Sequence, residues 1–113
     1  MAEEVIIVRE TPNLQGQVRI SGAKNSALKL MAAAILGRGK STLHNVPDIS
    51  DIAIMGEVLE ALGASVERDG HAMVIDTATV DKYSAPYELV SRMRASISSL
   101  GPLIGRFGQA RVA

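Results

Sequence analysis

The sequence predicts an α/β fold in which helices pack on a small sheet. Short β-branched or alternating stretches are interleaved with helix-period stretches along all 113 residues, the pattern of helices layered on strands. Glycine and proline fall at the junctions, as at Gly37, Pro47, Gly63 and Pro86, where turns and helix ends need them. Asp69-Gly70 lies between two alternating runs, a strong hairpin signal. The expected order is strand, helix, strand, helix, hairpin, helix, strand. No repeat or low-complexity linker divides the chain, and its length allows at most one ordinary domain.

Each element has a local reason. Val5 to Val8 is β-branched and continuous and predicts a short strand, Thr11-Pro12-Asn13 a turn, and Gln17 to Ile20 an alternating half-buried strand. From Ala27 to Leu36 every residue except Lys29 is apolar, so a helix from about Lys24 to Leu36 is expected to be enclosed by protein. Gly37 and Gly39 supply a left-handed stop. Ser41 to Val46 predicts a strand closed by Pro47. Asp48 or Ser50 is placed to cap the next helix, whose buried stripe is Ile52, Met55, Leu59 and Leu62 and whose end is Gly63. Ala64 to Arg68 and Ala72 to Asp76 form the hairpin arms. Pro86 suits the first turn of a third helix with Leu89, Met93, Ile97 and Leu100 buried, broken or kinked at Gly101-Pro102. Gly108 to Ala113 reads as the beginning of a strand, so the chain is expected to be part of a longer polypeptide.

Composition excludes several classes. Twelve basic and twelve acidic side chains give zero formal net charge, and no like-charged run suggests a nucleic-acid tract or a polybasic membrane patch. Tyr83, Tyr87 and Phe107 are the only aromatics, too few for base-stacking platforms. There is no cysteine, hence no disulfide, zinc thiolate or thiol nucleophile within these residues. The acidic start Met-Ala-Glu-Glu is not a signal peptide, and the longest apolar run, Leu30 to Leu36, is too short to cross a bilayer. A cytoplasmic protein that binds neither nucleic acid nor membrane is expected.

Among candidate motifs, Gly39-Lys40-Ser41-Thr42 imitates a nucleotide-binding loop. The full pattern needs glycine at Ala34, and here a helix precedes the motif where a strand should. It is read as a helix stop. Ser21-Gly22-Ala23-Lys24-Asn25-Ser26 puts a lysine and an asparagine where an extended segment meets the apolar helix. Free N–H groups and the positive dipole end favour an anion there, which points to a small phosphorylated or carboxylated ligand. A surface lysine and an ordinary helix start fit Lys24 and Asn25 equally well. Asp51, in a first helical turn, is favourable on dipole grounds alone, and Arg94 on a polar flank is solvated by default, with a guanidinium able to clamp an anion. His44 and His71 have no companion at ligand spacing, so they are assigned no metal and no catalytic duty.

Three segments together resemble the enolpyruvyl transferases: Leu14 to Leu28 with Ser21-Gly22-Ala23-Lys24-Asn25; Leu43-His44-Asn45-Val46-Pro47-Asp48 to Ile52 with Leu59 to Ala64; and Ser84-Ala85-Pro86-Tyr87-Glu88-Leu89-Val90 with Met93-Arg94-Ala95-Ser96 and Leu100 to Gly108. The likeness runs in order through nearly the whole chain. Lys24-Asn25, where the shikimate-pathway branch has a Lys-Ser-type pair, selects the cell-wall branch.

The resemblance implies one βαβαββ-type unit of an inside-out α/β barrel, incomplete here. Residues 1–21 would be strands that pack with a second domain, and residues 22–113 the first part of the first globular domain. It implies transfer of the enolpyruvyl group of phosphoenolpyruvate to the 3-hydroxyl of UDP-N-acetylglucosamine in peptidoglycan synthesis, without metal or cofactor. Lys24 would contact the phosphoenolpyruvate phosphate, Asn25 the substrates, and Arg94 and Asp51 the same cleft. The general acid would lie on a loop beyond Ala113, so these residues alone are expected to be inactive and to depend on the remainder of the polypeptide. Two other readings stay open: an interaction module assembling through an open sheet edge, and the shikimate-pathway transferase.

Overall fold

A computed structural model describes residues 3–92 and 100–112. Its centre is a three-stranded antiparallel sheet with β1 (Lys40–Leu43) and β2 (Ser65–Asp69) on either side of β3 (Ala72–Asp76). Lys40 lies opposite Asp76 and Leu43 opposite Met73, while Ser65 faces Asp76 across the other ladder. β1 and β2 therefore run parallel, joined through helix α2 (Ser50–Ala61), with β3 inserted between them. The hairpin arms meet at Asp69 opposite Ala72, which leaves Gly70-His71 as the two-residue loop, one place later than Asp69-Gly70. Gly70 has φ +59°, the backbone that a tight hairpin requires at its first central position.

Alternation sets the faces of the sheet. Met73 and Ile75 are buried while Ser65, Glu67 and Asp69 are exposed, so only one face is covered. Against it pack α1 (Lys24–Ala33), continued by a 3₁₀ turn over Ala34–Leu36, and α2. The stripe expected on α2 is realised: Ile52, Met55, Leu59 and Leu62 are all buried, and Gly63 (φ +112°) follows it. α1 contributes Ala27, Leu28, Met31 and Ala32, and Ile35 follows in the 3₁₀ turn. Val90 of α3 (Tyr87–Val90) and Leu103 of α4 (Leu100–Phe107) complete the core. Full burial of each large aliphatic side chain is worth about 1.5–3 kcal/mol.

Several expectations are corrected. Val5–Val8 and Gln17–Ile20 form no strand and pair with none among the described residues, and Ile6 is 92% exposed. A β-pattern states a preference and cannot supply a partner. The first helix is enclosed on one face only, since Leu30 and Leu36 are exposed. Gly37 has φ −86°, so only Gly39 (φ +145°) adopts a positive φ. Neither Asp48 nor Ser50 caps α2; its N-cap is Ile49, without a side-chain hydrogen bond. The second strand stops at Leu43, after which Asn45 (φ +56°) turns the chain. Gly101-Pro102 lies in the first turn of α4, which runs on to Phe107, and of the third helix expected to lead up to it the described part is α3, Tyr87–Val90. The final strand is reduced to one parallel bridge, Ser84 with Arg111. Met93, Arg94 and Ile97 lie outside the described residues.

Candidate functional site

The first turns of α1 and α2 come together. Lys24 is the first residue of α1 and Asp51 the second of α2, and Lys24 Nζ lies 3.1 Å from Asp51 Oδ2. The side chains remain 48% and 32% exposed, so the pair itself stabilises by about 0–1 kcal/mol. The N-cap of α1 is Ala23, which has no side-chain acceptor, and the first turn carries no acidic residue. The leading N–H groups of α1 are thus not capped by a side chain, and an ammonium stands beside them. Asn25 is exposed one residue further on, inside the helix and not at its cap. Three of the four expected site residues therefore stand at one place; the fourth, Arg94, lies outside the described residues.

Backbone packing fixes this place. A Cβ at Gly22 would fall 1.7 Å from the backbone oxygen of Asn45, so only glycine allows the chain to enter α1 along this path. Arg68 anchors the loop before α2: its guanidinium donates to the carbonyls of Val46, Pro47 (3.2 Å) and Gly70 (3.0 Å). The N–H of Val46 donates in turn to His71 O at 2.8 Å. The hairpin turn is in this way tied to the start of α2, and through it to Asp51.

A cavity of about 490 Å³ lies elsewhere, between Arg19-Ile20-Ser21, His44-Asn45 and the hairpin turn at Asp69, His71 and Ala72. None of Lys24, Asn25 and Asp51 lines it. Among the described residues no three His, Cys, Asp or Glu side chains come together as a metal site needs.

At the other end of α1 two residues that sequence reasoning missed form a clasp. Thr77 is 1% exposed; its hydroxyl donates to Gly37 O at 2.8 Å, with Ala34 O at 3.1 Å also within reach. Arg106 Nη1 donates to Ile35 O (3.1 Å) and Gly37 O (3.2 Å), and Nη2 to Val80 O (3.3 Å). Its guanidinium also lies 5.5 Å from the centre of the Phe107 ring, within cation–π range. Burial, helped by the like charge of Arg38, holds the Arg106 pKa below the ordinary arginine value. Threonine just past an alternating strand was a weak signal for this role. Arginine in a last helical turn is an ordinary placement and gave none.

The chain and its fold match known proteins. Residues 8–113 match the family described as EPSP synthase (3-phosphoshikimate 1-carboxyvinyltransferase), and the chain belongs to that family. It resembles the solved enolpyruvyl transferase NikO from Streptomyces tendae with a TM-score of 0.75 and 35% identity, over 84% of this chain and 22% of that one. The mixed α/β architecture is accordingly part of an enolpyruvyl transferase fold. Curated relatives narrow the likeness. UDP-N-acetylglucosamine 1-carboxyvinyltransferase of Desulfatibacillum aliphaticivorans is 50% identical over 96% of this chain and 26% of its own length. The enzyme of that name from Mycobacterium tuberculosis (strain CDC 1551 / Oshkosh) is 49% identical over 100% of this chain and 27% of its own length. The chain thus spans about a quarter of these relatives.

Proposed function

We propose that the polypeptide carrying these residues transfers the enolpyruvyl group of phosphoenolpyruvate to the 3-hydroxyl of UDP-N-acetylglucosamine, releasing phosphate, as a cytoplasmic step in building peptidoglycan. The observation that carries this reading is identity near 50% over almost the whole chain with relatives bearing that enzyme's name. The site geometry fits. In such a transfer the hydroxyl oxygen adds to C2 of phosphoenolpyruvate while a proton reaches C3. The phosphorylated tetrahedral intermediate then loses phosphate and a C3 proton. Charge develops on the phosphoryl oxygens, and an ammonium at the start of a helix whose leading N–H groups lack a side-chain cap stabilises it.

In this reading Lys24 holds the phosphate, Asn25 touches the substrates, and Asp51 and Arg94 border the same cleft. Residues 22–113 open the first globular domain, and residues 1–21 pack with a second. Phosphate release by the full-length polypeptide with phosphoenolpyruvate and UDP-N-acetylglucosamine tests the reading. Turnover is expected, and Lys24→Ala is expected to lower kcat/KM by at least a hundredfold; turnover with shikimate 3-phosphate in place of the nucleotide sugar would overturn it. The 113-residue polypeptide alone is expected to release no phosphate.

A further inference from the structure

The ion pair between α1 and α2 carries one step more, resting on the proposal that Lys24 meets the phosphate. We infer that Asp51 is a positioning residue that acts through Lys24 and makes no phosphate contact of its own. A lysine ammonium rides on a flexible four-carbon stem, and Lys24 is half exposed, so its own helix does little to fix where the charge stands. The carboxylate that fixes it belongs to a different helix, at 3.1 Å. That helix is indexed to the hairpin by the Arg68 hydrogen bonds to Val46 and Pro47. Because both side chains leave first helical turns, the pair sets the ammonium beside both helix starts. A carboxylate facing an incoming dianion repels it, so Asp51 is poorly suited to touch the phosphate directly. Held against the far side of the ammonium, it orients the charge toward the ligand.

The test uses the full-length polypeptide with Asp51→Asn, Asp51→Glu, Lys24→Arg and the Lys24→Arg/Asp51→Asn double variant, read as separate KM values for the two substrates. Asp51→Asn is expected to raise the KM for phosphoenolpyruvate about fivefold, leaving the KM for UDP-N-acetylglucosamine and the melting temperature unchanged. Asp51→Glu is expected to restore most of the loss, and Asp51→Asn to add less than twofold to Lys24→Arg. A fall in the phosphoenolpyruvate KM would overturn the inference, since the carboxylate would then act only as a competing anion. Equal losses with and without the native lysine would also overturn it. A wild-type polypeptide that does not turn over phosphoenolpyruvate would instead defeat the proposed function on which the inference rests.

Discussion

At its C-terminal end α1 runs into a half-buried clasp, in which the Thr77 hydroxyl and the Arg106 guanidinium close on the carbonyls of Ala34, Ile35 and Gly37. Its N-terminal end carries an exposed ammonium, one surface carboxylate, and N–H groups with no side-chain cap. The same helix is thus closed by side chains at one end and left open at the other. Helix ends oblige a protein to find partners for unpaired backbone groups; here the chain meets that demand with its own side chains only where the carbonyls lie. The difference sets side chains that hold the fold together, in the clasp, apart from the binding role proposed for Lys24.

That separation can be broken or sharpened by substitution. The largest effect is expected from Gly22→Ala, which drives a methyl group into the Asn45 carbonyl and should cost about 3 kcal/mol in urea unfolding. It would show that the open end is loose in its side chains and rigid in its backbone. Arg106→Met leaves the carbonyls of Ile35 and Val80 without their charged donor and should cost about 2 kcal/mol, with no change in the KM for phosphoenolpyruvate. Thr77→Val keeps the shape and removes the hydroxyl proton, for about 1.5 kcal/mol; combined with Arg106→Met, its effect should not be additive, because both side chains bond Gly37 O. Lys24→Met is expected to move stability by less than about 1 kcal/mol while abolishing most phosphate release. A Lys24→Met variant as unstable as Arg106→Met would erase the contrast.

The parts of the fold legible in the sequence were those encoded locally. The α2 stripe from Ile52 to Leu62, the stop at Gly63 and the β2–β3 hairpin follow from spacing and turn chemistry. The meeting of Lys24 with Asp51 was not legible from spacing, because it joins two helices whose relative placement depends on packing; the family resemblance alone set both residues near one cleft. The clasp was hidden for the same reason, since Arg106 reaches back 71 residues to Ile35. Val5–Val8 shows the converse: a clear local preference with no partner among the described residues to realise it.

The stretch from Gly37 to Ser41 carries a further lesson about polarity. Its glycines and lysine spell much of what cradles a nucleotide's phosphates, yet here Gly37 turns its oxygen toward a hydroxyl and a guanidinium, and Gly39 turns its own toward the Thr77 amide at 3.0 Å. A phosphate cradle needs amide hydrogens converging on the guest; these peptides present oxygen instead. Rotating a peptide plane exchanges one for the other without altering a letter of the text. The loop is therefore the electrical inverse of what its spelling advertises, a receptor for the chain's own cation.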